Sequence, residues 1–302
     1  MTNKKVMRFV GVSTAGSSIN KVFPLWSDLL NLDAQLVGLD IPIGSSAQTY
    51  RAAVNEMRND PNCVGALVTT HKIALFDAAN EDFESFDSFA SACGEVSSIK
   101  IRNGKALGAA KDPITAGLAI EEFISRDHFK YGADLLCFGD GGAATAIAWY
   151  ATGLEFAPRN IHFFGISEER LAHLKNVISG RPAFANVITH LSNPAEVTNC
   201  LADLAPSSLI INATGMGKDI PGSPMPSGVH FPFGSIIWEL NYRGTLEFLK
   251  QAQDESDKSK LRVHDGWRYF IHGWISVVAE VFDIKLTDSL LQELSMEAEI
   301  GK

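Results

Sequence analysis

Leu135-Leu136-Cys137-Phe138-Gly139-Asp140-Gly141-Gly142-Ala143-Ala144 reads as a buried strand that passes through a glycine-rich turn into an alanine-rich helix. That succession makes an anion site. Gly139 permits the tight turn, Gly141 lets a pyrophosphate approach the backbone, and the first N–H groups of the helix point at the charge. Asp140 places a carboxylate inside the turn, where it either repels a pyrophosphate or points to solvent. A dinucleotide is read next at the end of the following strand, where an acid takes the ribose hydroxyls and an arginine a 2′-phosphate. Here the chain runs Phe164-Gly165-Ile166-Ser167-Glu168-Glu169-Arg170. Ser167 or Glu168 is placed to meet the ribose, and Arg170 reads as a solvated charge within the helix, which tilts the expectation toward NAD over NADP.

Oxidising a secondary alcohol by hydride transfer needs a group that takes the hydroxyl proton as the hydride leaves. A lysine does this when desolvation lowers its pKa from about 10.4, or it serves as a positioned ammonium; a neighbouring carboxylate orients it and raises that pKa. Lys72 stands just after a β-branched run and Asp112 beyond a hairpin, places that suit a cleft, although a lysine at a strand end is by itself an ordinary surface charge. His71, directly before Lys72, is either a turn histidine or an acid/base suited to neutral pH. His272, among Trp267, Tyr269, Phe270 and Trp274, is either a packing histidine or a substrate contact. The eight histidines show no HxxxH or HExxH spacing, and Cys63, Cys93, Cys137 and Cys200 form no CxxC pair, so no metal site is expected and the cysteines read as small buried or half-buried thiols. No G-x-S-x-G nucleophile elbow occurs.

These groups need a scaffold, and the chain is long enough to provide a large one. Its 302 residues are 46% hydrophobic and 20% charged, ordinary soluble usage. Lys+Arg of 26 against Asp+Glu of 35 gives a net charge of −9, which argues against nucleic acid as a partner. The most apolar long stretch, Ala143 to Ala157, falls short of a membrane span, and MTNKKVMRF lacks an apolar leader core, so a cytoplasmic protein is expected. Short β-branched runs alternate with helical segments, the pattern of α/β architecture. Strands are expected at 7–14, 35–43 and 63–70, and helices near 19–30, 50–58, 73–80 and 85–93, with Pro24 tolerable near a first turn. Asn103-Gly104 predicts a hairpin joining 97–102 to 105–109. A helix over 114–125 leads into strands at 133–138, 161–166, 187–191, 208–213, 235–240 and 261–264. Helices are expected between them at 143–154, 168–178 and from Pro194, which Asn193 caps. Asp254–Lys260 reads as a surface turn, and two helices close the chain from about Trp267 and Thr287.

The whole pattern resembles the shikimate/quinate dehydrogenase family, nearly end to end. The family's GAGGA turn resembles Gly139-Asp140-Gly141-Gly142-Ala143, and its N-A-T segment resembles Asn212-Ala213-Thr214, which runs on into Gly215-Met216-Gly217. Its V-T-x-P-x-K segment is rendered Val68-Thr69-Thr70-His71-Lys72, one residue short and without the proline, and its N-T-D as Ala110-Lys111-Asp112. The family's substrate-domain asparagines fall at Leu67 and Ser97, and its N-R-T triplet becomes Gly165-Ile166-Ser167. The resemblance implies a two-domain α/β protein: a substrate domain over 1–113 completed by about 265–302, and a Rossmann-like domain over 114–264. It implies reversible hydride transfer between NAD or NADP and a small cyclic hydroxy acid such as shikimate or quinate, as in aromatic amino acid biosynthesis. Lys72 and Asp112 would be the acid–base pair, and Ser17, Ser18, Ser97, Tyr242 and His272 the substrate shell. Gly139, Asp140, Gly141, Gly142, Ala143, Ser167, Asn212, Ala213, Thr214, Met216 and Gly266 would meet the cofactor. A homodimer is compatible with the family, and so is a ligand-binding or regulatory paralogue that kept the fold and lost the chemistry.

Overall fold

A computed structural model describes residues 4–218 and 220–302. The first half runs β1 (Lys5–Gly11), α1 (Ile19–Leu29), β2 (Ala34–Asp40), α2 (Ala47–Asn59), β3 (Cys63–Val68), α3 (Lys72–Ala79), β4 (Phe83–Phe86), α4 (Ser88–Cys93), β5 (Ser98–Arg102) and β6 (Lys105–Ala109). There follow α5 (Asp112–Glu121), β7 (Leu135–Phe138), α6 (Gly142–Thr152), β8 (Ile161–Gly165), α7 (Glu168–Val177), β9 (Val187–Leu191), α8 (Pro194–Asp203), β10 (Leu209–Asn212), β11 (Ile236–Glu239), α9 (Glu247–Ser259), β12 (Arg262–His264), α10 (Trp267–Phe282) and α11 (Asp288–Ala298). Two compact units result, Met1–Lys111 with Ile271–Lys302, and Asp112–Phe270. Among the described residues no helix is long and apolar enough to cross a membrane.

The first unit is built on a mixed sheet of order β2-β1-β3-β5-β6-β4. β2, β1 and β3 are parallel, and the β5–β6 hairpin returns antiparallel to them. Asn103 and Gly104 turn that hairpin with φ of 53° and 72°, as an Asn-Gly turn requires. On one face Val54, Met57, Val68, Leu75 and Ile99 form a core under α2 and α3. Across the sheet, Phe9 meets Trp274 of α10 edge-on with ring centroids 4.9 Å apart, and the Trp26 indole donates to the Leu294 carbonyl of α11 (2.8 Å). Two expectations change here. The segment expected as one helix over 85–93 is an edge strand and a short helix, because the Asp87 side chain caps the Ala90 N–H (2.7 Å) and so fixes where helix begins. Pro24 lies in the second turn of α1, on its exposed face, where solvent reaches the carbonyl that loses its partner.

The second unit is an all-parallel sheet of order β12-β11-β10-β7-β8-β9. Read from β9, this is the doubly wound 3-2-1-4-5-6 arrangement, whose connections reverse direction between β7 and β10. The central strands β7, β10 and β11 are buried on both faces, so they are nearly continuous apolar runs rather than alternating ones. The Asp254–Lys260 run is not a surface turn: residues 254–259 are the last turns of α9, and Lys260 is its left-handed C-cap. That helix buries only Phe248 and Ala252, one turn apart, so its remaining polar positions gave no helical stripe to read.

A buried carboxylate fastens the bottom of this sheet. Asp134 accepts from Arg159 Nε and Nη2 (2.9 and 2.6 Å), from the Asn160 N–H (3.1 Å) and from the Ala205 N–H (2.9 Å). Burial alone would raise its pKa, but the Arg159 guanidinium and these N–H groups outweigh that and hold the carboxyl below its ordinary range. Its contribution is therefore present at neutral pH and is lost only as pH falls through the depressed folded-state value. Asp134→Ala should lower the urea midpoint by an amount equivalent to about 3 kcal/mol or more, with an unchanged slope, and the deficit should shrink in strong acid.

Candidate active site

In the first unit the candidate residues gather at one edge of the sheet. The register aligns Val10 with Val68, Leu67 with Ser98, and Ser98 with Ala109, so the segments after β1, after β3, before β5 and after β6 emerge side by side. The first of these carries Ser17, buried in a loop that Asp40 ties down by accepting from both the N–H and the hydroxyl of Thr14 (2.9 and 2.6 Å). Ser18 follows, half-buried, at the N-cap of α1. Ser97 is buried before β5, and its hydroxyl accepts from the Lys111 N–H (2.8 Å), linking the exits of two strands. Leu67 packs within β3 as part of the core. His272 is buried on α10.

Lys72 is the first residue of α3 and half-buried; its carbonyl accepts from Val96 N–H (3.1 Å). His71, the residue before it, is fixed from both sides. Its Nε2 lies 2.8 Å from the Ile41 carbonyl, which can only accept, so Nε2 carries the proton and Nδ1 accepts from the Tyr50 hydroxyl (3.0 Å). The ring is 3% exposed, and both nitrogens are spent on holding the turn. Between the two readings of His71, the structure gives the turn histidine. Lys111, also on this edge, pairs with Glu280 (2.9 Å), and Asp112 follows it in the chain as the buried first residue of α5 in the second unit.

In the second unit the glycine turn sits where the strand order reverses. Gly139 has φ +133°, and a Cβ there would lie 2.8 Å from the Ala213 carbonyl oxygen, so only glycine lets the loops after β7 and β10 come this close. A Cβ added at Gly141 would meet nothing within 4 Å, and no side chain caps α6. Open space beside Gly141 and a first helical turn with no side-chain cap, at a positive helix end, fit the pyrophosphate of a dinucleotide.

Asp140 takes neither course expected for it. It is 7% exposed, and its Oδ2 accepts from the N–H groups of Ile166 and Ser167 (2.8 and 2.9 Å) while Arg170 stands 3.8 Å from Oδ1. A Cβ at Gly165 would collide with this carboxylate at 2.8 Å. Ser167 caps α7 by accepting from the Arg170 N–H (3.3 Å), and Ile166 is left 85% exposed beside it.

The Asn212–Met216 segment is held from beneath. Asn212 Oδ1 accepts from the N–H and hydroxyl of Thr214 (3.0 and 2.6 Å), and the Thr214 hydroxyl accepts from the Met216 N–H (3.1 Å). Under it lies Glu239, fully buried, which accepts from Asn212 Nδ2 (2.7 Å), Asn241 N–H (2.8 Å) and Asn241 Nδ2 (2.7 Å). Asn241 Nδ2 also reaches the carbonyls of Thr214 and Met216 (both 3.1 Å). Sequence reading passed over Glu239 and Asn241; the available signal was an acid ending the apolar strand Ile236-Ile237-Trp238. Gly266 is a close-packing position, since a Cβ there would lie 1.9 Å from the Leu240 carbonyl oxygen. Tyr242 packs against Phe270 with the rings tilted by 35° and centroids 4.2 Å apart.

No family model matches the chain. Among characterised proteins it is 27% identical over 181 residues to the shikimate dehydrogenase (NADP(+)) of Streptococcus gordonii, covering 57% of this chain and 58% of that protein. It is 30% identical over 202 residues to the one from Methanocaldococcus jannaschii, covering 65% of each. The matched stretches thus span roughly three fifths of these relatives' length. Among solved structures, the Thermus thermophilus shikimate 5-dehydrogenase in complex with NADP(H) and shikimate aligns with a TM-score of 0.73 at 17% identity, over 99% of this chain and 100% of that one. The Corynebacterium glutamicum quinate dehydrogenase in complex with NAD aligns with a TM-score of 0.72 at 16% identity, over 97% and 99%. The chain is related in sequence to the shikimate/quinate dehydrogenase family and has its two-domain Rossmann-type fold.

Burial pushes the Glu239 carboxyl up to about 7, although the asparagine donors oppose the shift. A pKa raised above the unfolded value means stability that is complete in mild acid and is lost as pH rises through the folded-state value. Relative to Glu239→Gln, the wild type should therefore lose stability on the order of 3 kcal/mol between about pH 4.5 and pH 8, measured by urea unfolding. A wild-type-minus-variant difference that does not change with pH contradicts this placement of the charge.

Proposed function

We propose that the chain is a nicotinamide-dependent dehydrogenase acting on a secondary alcohol of a small cyclic hydroxy acid of the shikimate or quinate class. The observation that carries this reading is the bare N-terminus of α6: a turn with no Cβ at Gly141, at the switch point of a doubly wound sheet. Gly139, Gly141, Gly142 and Ala143 take the pyrophosphate, and the Asn212–Met216 segment lies on the nicotinamide side. A nicotinamide held there would supply the hydride acceptor or donor. Lys72 then holds the alcohol proton at Nζ, accepting it on oxidation and returning it on reduction. With both nitrogens of His71 committed, the lysine is the basic group this turn offers. Asp112 anchors a substrate hydroxyl, and Ser17, Ser18, Ser97, Tyr242 and His272 complete the substrate shell. Lys72→Ala should cut kcat by about 10²-fold or more and leave NAD(P) affinity unchanged. A variant as active as wild type overturns the role, and cofactor binding without turnover in the wild type favours a paralogue that has lost its chemistry.

Cofactor choice follows from Asp140. The curated relatives are named as NADP(+) enzymes, and in this chain a carboxylate occupies the two main-chain N–H groups at the end of β8, beside the place where a 2′-phosphate would sit. That negative charge disfavours the phosphate, and the exposed Ile166 offers an apolar face to the adenine. NAD is therefore the expected cofactor. Asp140→Asn keeps an oxygen for both N–H groups and removes the charge. It should raise kcat/KM for NADP relative to NAD by about tenfold or more, equivalent to about 1.4 kcal/mol. An unchanged ratio removes Asp140 from cofactor discrimination.

A further inference from the structure

A separate cluster lies on one face of the second unit's sheet, and it needs no part of the dehydrogenase reading. His162 on β8 and His190 on β9 share that face: His190 pairs with Phe164, two residues along from His162, and stacks on its ring with centroids 4.5 Å apart. α8 covers the same face through Val197 and Leu201, and Cys200 on that helix completes the group. His162 Nδ1 and His190 Nε2 are 3.1 Å apart, and no two of the three ligand atoms, Cys200 Sγ included, are more than 4.8 Å apart. All three residues are half-buried, so the group is both desolvated and reachable. Glu196 lies one turn before Cys200, with its carboxylate 3.5 Å from the other nitrogen of His190.

We propose that His162, His190 and Cys200 form a site for a single zinc-type divalent ion, with Glu196 orienting His190 and solvent in the fourth position. A tetrahedral zinc with nitrogen ligands at about 2.0–2.1 Å and sulfur at about 2.3 Å holds its donor atoms about 3.3–3.6 Å apart. Side-chain shifts of about an ångström therefore bring the three atoms to that spacing. Two imidazoles and a thiolate are a borderline-to-soft donor set, which selects zinc over magnesium or calcium. The Glu196 carboxylate at Nδ1 of His190 fixes the tautomer that leaves Nε2 with its lone pair, the arrangement that carboxylate–histidine–metal triads use. The proton now shared between His162 Nδ1 and His190 Nε2 moves to His162 Nε2, and the Cys200 proton leaves to solvent as the metal–sulfur bond forms. The ion would clamp the edge strand β9 to β8 and α8. The ligands are 28 and 10 residues apart in the chain, so only the sheet register and the helix packing bring them together.

The test uses the full-length, tag-free protein stripped with a chelator and then titrated with Co²⁺ or Zn²⁺ alone. We expect one equivalent of Co²⁺ to give a thiolate-to-cobalt charge-transfer band together with tetrahedral visible bands. Zn²⁺ should displace it with a dissociation constant of about 1 μM or tighter, and should raise the Tm. Cys200→Ser should abolish the charge-transfer band, and His190→Gln should weaken Zn²⁺ binding by about 100-fold; unchanged circular dichroism of the stripped variants shows that they fold. If one variant fails to fold, the other decides. A wild type without the band, a band that persists in folded Cys200→Ser, or an unchanged Zn²⁺ affinity in folded His190→Gln overturns the site.

Discussion

A carboxylate inside a glycine-rich turn at the head of a helix is an unusual placement, and the second unit is arranged around it. Asp140 is buried against the end of β8, where two successive N–H groups satisfy one carboxylate oxygen. Burying that charge without those donors would cost several kcal/mol, so the loop after β8 has to stay in register with the turn after β7. Gly165 must lack a side chain for the carboxylate to fit, and Gly139 must take a left-handed φ for the turn to close against Ala213. The same constraint leaves the head of α6 uncovered, because the one acidic group in the turn is drawn away from it. The turn thus remains able to take an anion.

The first unit fixes its own turn differently, with neutral donors and acceptors. The backbone from β3 into α3 is held by a histidine whose two nitrogens reach a tyrosine on α2 and a carbonyl just after β2. This hydrogen-bonded ring takes the place of the rigid proline in the related V-T-x-P-x-K segment, and it fixes where the first residue of α3 begins. Ser97 provides a comparable link between the strands on the far side of β3. Where the family has asparagines, the chain has a core leucine and this serine, so two amide groups of the family's pattern are absent here.

Much of the architecture was legible because the physics that sets it is local. Continuous apolar runs marked β7, β10 and β11, Asn193-Pro194 marked the start of α8, and Asn103-Gly104 marked the hairpin. The glycine turn was legible because strand, glycines and helix are contiguous. What escaped depends on partners that are distant in sequence. His71 is decided by Tyr50 and Ile41, and Asp140 by main-chain donors beyond the next strand. α9 escaped for another reason, having only two buried side chains to betray its period. Glu239 ended an apolar strand in plain sight, but its task of supporting the Asn212 loop appears only when β10 and β11 lie side by side.

The central claim is that this fold still transfers hydride. The direct measurement is the initial rate of cofactor reduction by absorbance, with NAD and NADP each paired with shikimate and with quinate, alongside calorimetric binding of both cofactors. Both cofactors should be titratable, NAD the tighter, with steady reduction on one of the two acids. Folded protein that reduces neither cofactor with either acid, whether or not it binds them, would contradict the claim.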